Sequence, residues 1–273
     1  MARAFLTAGW RNLAMLNYVV EPALLEPFVP RGTELDAWNG RTYLSLVGFM
    51  FVDTRVRGLP IPFHRTFEEV NLRFYVRRTV GNETRRAVTF LREVVPRRAI
   101  ALVARLAYNE PYTALPMRHS YLFPATSATA DRGTRHIQSL MGDAQAGTPS
   151  SAEYEWKGPS GWCGMRVETT GAPHAIERGS EEEFITEHYW GYTRQRDGST
   201  VEYQVTHPSW NVTAVSASSV DGQLAGLYGD AFAARLAGAA DSAFLADGSA
   251  ISVSLPHRLD EVGPRRAQSP ARS

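Results

Sequence analysis

One cysteine, Cys163, and one lysine, Lys157, are the chain's whole stock of either residue. A lone cysteine excludes an internal disulfide and a cysteine-rich zinc site, and it fits a reducing compartment. Cys163 stands beside Gly164 in an alternating run, where a small buried filler is the ordinary role. A lone lysine leaves one candidate for any mechanism built on an amine, and Lys157, in Trp156-Lys157-Gly158-Pro159, reads as a surface residue. Neither sign of charge is in excess: 29 basic against 28 acidic residues give a net +1. That removes any general electrostatic reason to bind nucleic acid or an anionic membrane. No apolar run reaches the ~18 residues of a membrane span, and Met1 to Leu6 has neither the apolar stretch nor the cleavage site of a signal peptide. The seven histidines are scattered without a His-x-x-x-His pair, so no metal site is expected. A glycine-rich phosphate loop and a Gly-x-Ser-x-Gly elbow are both missing. The expectation is a cytoplasmic protein with no cofactor and no nucleic-acid or membrane partner.

What is present is enough apolar residue for a substantial core: 44% of 273 positions. Residues 1–261 read as a single domain and 262–273, rich in Pro, Arg and Ser, as a disordered tail. Trp10 to Tyr18 and Tyr43 to Val52 have the composition of strands. Between them, Glu21 to Pro30 suits a short helix, with Pro22 in its first turn and Pro27 and Pro30 stopping it, and Asn39-Gly40 is a hairpin signal. Phe67 to Arg77 and Arg86 to Val95 alternate as partner strands across Gly81-Asn82, with Val88, Phe90 and Val94 expected on one face. Pro96 to Tyr108 has helical spacing, and Ala125 to Ser151 reads as turns and a mobile loop. Strands are expected at Cys163 to Thr170, Thr200 to His207, Trp210 to Ser219 and Ile251 to Leu255. A capping box at Ser180-Glu181-Glu182-Glu183 opens a helix expected to run to about Tyr192, and Ala231 to Ala237 is another short helix. About nine strands and three or four helices make a β-rich α+β domain.

The informative stretch is Phe67 to Arg77. Alternation puts Val70, Leu72, Phe74 and Val76 on one face, and Glu69, Asn71, Arg73, Tyr75 and Arg77 on the other. The polar face is either solvated or the lining of a pocket. If buried, its charges require partners. His207, in His207-Pro208-Ser209-Trp210 at a strand end, is a candidate general acid or base, or a structural histidine. Glu187 and His188 are adjacent, so only one of the two could occupy the centre of a buried helix face.

Five segments in order resemble the YqjF-like uncharacterised family, DUF2071. They are Val19-Val20-Glu21-Pro22-Ala23-Leu24-Leu25 with Val29-Pro30-Arg31-Gly32; Phe67-x-Glu69-Val70-Asn71-Leu72-Arg73-x-Tyr75-Val76; Ala104-Arg105-Leu106-x-Tyr108-x-x-Pro111-Tyr112; Phe184 to Tyr189; and Val205 to Trp210. His188 departs from the Glu-Arg-Tyr expected there. The resemblance spans about Trp10 to Leu255 and implies a distant branch of the acetoacetate-decarboxylase-like superfamily, an antiparallel β-cone or barrel with a few outer helices. In such decarboxylases a lysine following a proline forms the Schiff base. Here Tyr112 and Thr113 stand at those positions, so Schiff-base decarboxylation is not expected. The resemblance also places Glu69 on a cavity-lining strand, which turns Asn71 and Arg73 inward with it. With that polar face turned inward, the expected function is binding of a small organic anion, a carboxylate or keto acid, in a central cavity. Arg73 would clamp the anion, Glu69 and Asn71 would hold the arginine, and Arg105, Tyr112, His207 and Trp210 would contribute. Two alternatives stand beside it: a lysine-independent lyase or isomerase using Glu69 or His207 as general base, and a non-catalytic interaction protein. Whether the chain forms a homo-oligomer stays open.

Overall fold

Aromatic and β-branched residues dominate the alternating runs, and such side chains fit a pleated, half-buried surface. The computed structural model describes residues 4–60, 65–97, 109–123 and 148–259. Its strands are β1 (Leu6–Val20), β2 (Glu34–Leu35), β3 (Thr42–Val56), β4 (Leu59–Pro60), β5 (Phe67–Val80), β6 (Glu83–Val95), β7 (Tyr112–Ala114), β8 (Met117–Leu122), β9 (Ser151–Gly158), β10 (Gly161–Ala175), β11 (Trp190–Arg194), β12 (Thr200–Thr206), β13 (Asn211–Asp221), β14 (Ser242–Ala246), β15 (Ala250–Val253) and β16 (His257–Arg258). The sequence suggested fewer, because β7, β8, β9, β11 and β14 are short or polar on one side.

Pairing closes a ring in the order β1, β3, β5, β6, β11, β12, β15 and back to β1. A second sheet branches from β1 through β14, β13, β10 and β9 to β8. Strand β1 serves both: Leu6 to Gly9 pair with β15 and Leu13 to Asn17 with β14, along one edge. The switch falls where β1 bulges against β3, at Asn12 with φ 54°. The β14–β15 turn presses on this point, and a Cβ on Gly248 would lie 2.2 Å from the Trp10 carbonyl oxygen. The ladders are antiparallel except for two short parallel ones, β6 with β11 and β6 with β7, so the cone is a mixed sheet.

The two faces of β5 separate as the alternation indicates. Val70, Leu72, Phe74 and Val76 enter a core with Tyr154, Trp156, Met165 and Val167 of the second sheet and with Leu227, Tyr228 and Phe232 of the helices Ala225–Tyr228 and Asp230–Leu236. Glu69, Asn71 and Arg73 face the ring interior and are buried. On β6 the expected face does not hold. Arg73 pairs with Phe90 but Leu72 with Arg92, so Leu91 is an extra, bulged residue. The bulge reverses the alternation: Val88, Phe90 and Glu93 all line the interior, while Val94 packs in the outer core.

Asn39 and Gly40, at φ 50° and 76°, form a two-residue turn closed by mutual Trp38–Arg41 backbone bonds. The capped helix is Glu181–Thr186, with the Ser180 hydroxyl accepting from the Glu183 amide at 3.1 Å. It does not reach Tyr192. Glu187 leaves helical geometry, and Trp190 and Gly191 instead pair with Ala87 and Val88 of β6. Glu187 and His188 therefore lie in the helix-to-strand link and not on a helix. The short helix at Pro22 is one α turn, Pro22–Leu25, followed by a 3-10 turn, Glu26–Phe28. The helix expected at Pro96 to Tyr108, Arg105 included, falls almost entirely outside the described residues, as do most of the 125–151 segment and the tail. Among the described residues no helix is long and apolar enough to cross a membrane.

Candidate functional site

Inside the ring lies a cavity of ≈ 120 Å³. Its wall is largely aromatic. Phe51 and Phe67 stack at 4.8 Å, and Trp10 meets Phe49 and Trp210 edge-on at 5.4 and 6.2 Å. The His207 ring stacks on Trp210 at 4.4 Å, and the Trp210 indole N–H donates to the Ser249 hydroxyl at 2.9 Å. His207 Nδ1 faces the Pro208 carbonyl at 2.9 Å. A carbonyl only accepts, so Nδ1 carries the proton and Nε2 is left as the basic nitrogen. Burial lowers the pKa of His207, keeping the ring neutral.

One end of the cavity is acidic. Asn71 of β5 pairs with Glu93 of β6, and Glu93 with Tyr112 of β7, setting three polar side chains in a row across neighbouring strands. The Asn71 amide donates to Glu69 Oε1 at 3.2 Å and the Tyr112 hydroxyl to Glu69 Oε2 at 3.1 Å. Tyr203 of β12 donates to Glu110, and Thr193 donates to the same oxygen at 3.5 Å. Glu69, Glu93 and Glu110 are all buried, and none has an ion-pair partner among the described residues. Burial, with Glu110 adding to it, pushes Glu69 up to about 8 against the opposing bonds from Asn71 and Tyr112. Glu110 is raised to about 7 by burial, against its bonds from Tyr203 and Thr193. Glu93 rises well above the usual carboxylate range through burial and its two acidic neighbours. The site is thus an acid cluster that holds protons near neutral pH.

At the other end sits Arg73. Its Nη2 donates to the Ile185 carbonyl at 3.2 Å and approaches the Met15 sulfur at 4.0 Å. The guanidinium lies 5.7 Å from the Tyr75 ring centroid, and Nε has no acceptor. Glu69 does not hold it, contrary to the sequence expectation. Four residues of extended strand place the two Cα atoms ~13 Å apart, and the Glu69 oxygens are taken by Asn71 and Tyr112. His188 is buried beside Tyr75 with neither ring nitrogen bonded, and burial plus Arg86 and Arg73 drive its pKa well down.

Glu69, Asn71, Arg73, Tyr112, His207 and Trp210 therefore share one cavity, while Arg105 lies outside the described residues. Sequence reasoning did not single out Glu93, Glu110 or Tyr203, nor the buried place of His188. An acidic residue inside the run Leu91-Arg92-Glu93-Val94-Val95 was the available signal. Lys157 is exposed on β9 of the second sheet and is not part of the cavity. Thr113 accepts from Arg92 at 3.4 Å.

A cavity-bearing ring of strands with a second sheet against its outer face is the acetoacetate-decarboxylase-like fold. The chain is similar to the acetoacetate decarboxylase of Legionella pneumophila (TM-score 0.61, 10% identity, 93% of this chain and 87% of that one). Similar to it also are the enduracididine biosynthesis enzyme MppR in its pyruvate complex (0.61, 11%, 96% and 93%) and an acetoacetate decarboxylase-like enzyme from Sphingomonas wittichii RW1 (0.60, 12%, 95% and 94%). The chain belongs to the DUF2071 family of uncharacterized conserved proteins, whose family model matches residues 7–250. It is 25% identical over 202 residues to the uncharacterized protein YqjF of Bacillus subtilis (strain 168), covering 74% of this chain and 72% of that one.

Proposed function

We propose that this protein binds a small organic anion, a short carboxylate or keto acid, inside the ring. One observation carries the reading: Arg73 is buried, has no carboxylate beside it among the described residues, and keeps Nε without an acceptor. A cation withdrawn from water is costly unless paired. The planar fork of arginine matches a carboxylate, and the largely apolar wall strengthens that pairing. The cavity, ≈ 120 Å³, has room for a small ligand. The likeness to MppR, whose complex holds pyruvate, supports the same class of ligand. The lone cysteine favours a cytoplasmic setting. An interaction protein with a solid interior and a solvated Arg73 fits this geometry poorly.

A second reading rests on the acid cluster. Glu69, lifted to about 8, and neutral His207 line the cavity that would hold the acid, which suits a lyase or isomerase working by general acid–base catalysis. With Lys157 remote, an imine is not part of it.

A thermal-shift screen of pyruvate, acetoacetate and unbranched C2 to C5 carboxylates tests the first reading. At least one acid is expected to raise the Tm of wild type, a ligand at ~100 times its Kd adding about 2.7 kcal/mol, and to leave Arg73→Ala unmoved. Absence of any selective stabiliser, or equal stabilisation of the variant, overturns the anion site. Proton NMR of the stabilising acid in D2O tests the second: deuterium entry or product formation is expected with wild type and lost in Glu69→Gln.

A further inference from the structure

Besides Trp10 Nε1 and Thr54 Oγ1, the polar atoms that line the cavity and lack partners fall into two groups, one beside Arg73 and one at the acid cluster. Beside Arg73 they are the guanidinium Nε, a donor, and the two ring nitrogens of His188, one of which is a donor and the other an acceptor in the neutral ring. Around the acid cluster they are Asn71 Oδ1, an acceptor whose amide nitrogen is already spent on Glu69, and Glu93 Oε2, which becomes an acceptor once its carboxyl gives up its proton. Asn71 and Glu93 are 2% and 1% exposed. They face each other across the β5–β6 ladder, so their orphan oxygens belong to one neighbourhood. Asn71 stands one pleat, ~7 Å, from Arg73 along β5.

We infer that the ligand is amphoteric, a short amino acid whose carboxylate meets Arg73 and whose ammonium lies between Asn71 and Glu93. The inference rests on the anion reading and narrows it. A plain carboxylate satisfies the Arg73 guanidinium and leaves Asn71 Oδ1 and Glu93 Oε2 without a partner, at a cost typical of unpaired polar groups. An ammonium has three N–H donors and no acceptor, the complement of an amide oxygen and a carboxylate. Glu69 and Glu110, with the hydroxyls of Tyr112 and Tyr203, complete the acidic surroundings, and Arg73, His188 and His207 the opposite side. The carboxyls hold protons when no cation is near. An arriving ammonium stabilises one carboxylate, whose proton passes to the buffer. The ligand adds no net charge, so binding exchanges about one proton outward per site.

Isothermal titration at pH 7 compares glycine, β-alanine, 4-aminobutanoate and 5-aminopentanoate with acetate, propionate, butanoate and pentanoate, each in two buffers of different ionisation enthalpy. At least one amino acid is expected to bind wild type tenfold or more tighter than its matched acid, with release of about one proton. Glu93→Gln is expected to bring that ratio near one and to abolish the release, and Arg73→Ala to remove binding of both series. Matched acids binding as tightly as the amino acids, or amino acids binding without proton release, overturn the amphoteric ligand and leave the anion site standing. Failure of both series on wild type overturns the two together. The ratio and the proton count on wild type decide the matter even where a variant does not fold.

Discussion

Glu69 depends on its surroundings for its charge state, and the dependence has a sign that can be measured. A carboxyl near 4.5 in the unfolded chain and about 8 in the folded one binds its proton more tightly when folded. Its stabilisation is complete below the unfolded value and is lost as pH rises through the folded value. Glu110, raised to about 7, and Glu93 act in the same direction. The free energy of unfolding is therefore expected to fall between pH 5 and 8, by up to about 1.4 kcal/mol per pH unit for each titrating group. Urea titrations across that range should show a shallower fall for Glu69→Gln; an unchanged slope would mean that Glu69 ionises normally. His188, buried neutral, works oppositely: its contribution is lost as pH drops below about 6.5. That Glu69, Asn71 and Arg73 share a face was legible, since a strand's period is fixed by geometry. That Asn71 and Tyr112, and not Arg73, hold Glu69 was not, because those partners come from cross-strand register.

Between neighbouring strands the decisive features are irregular. Leu91 turns Glu93 inward, and no local pattern marks a bulge: Val88, Phe90 and Val94 share the parity of one regular strand. The capped helix was legible at its start, where Ser180 and Glu183 are diagnostic, and illegible at its end. Gly191 shows why. A Cβ there would come 2.1 Å from the Tyr203 ring, so the ring lies over the β11 backbone where only glycine leaves room for it. Gly191→Ala is expected to destabilise by about 1–3 kcal/mol in chemical denaturation. By displacing Tyr203 it should also weaken the bond to Glu110 and lift the upper end of the pH-dependent fall. Stability equal to wild type would show that the Tyr203 ring moves aside without cost.

For the whole molecule, the consequence of β5 is that two cores share one wall. Phe74 lies fully buried in the outer core, on the side away from Arg73. Phe74→Ala is expected to cost about 3–5 kcal/mol while ligand affinity, measured on the folded fraction, stays as in wild type. A matching loss of affinity would mean that the ring cannot keep its shape without the outer packing. The sequence indicated a β-rich α+β domain because strand runs and one cap are local. Ring closure is a matter of pairings such as β1 with β15, more than two hundred residues apart, which no local run encodes.

The aromatic wall has a practical side. Of the six tryptophans, Trp10 and Trp210 border the cavity, and Trp210 carries His207 stacked on its indole. Two intrinsic fluorophores thus stand where a ligand would arrive, so occupancy should register as a change in emission without any attached dye.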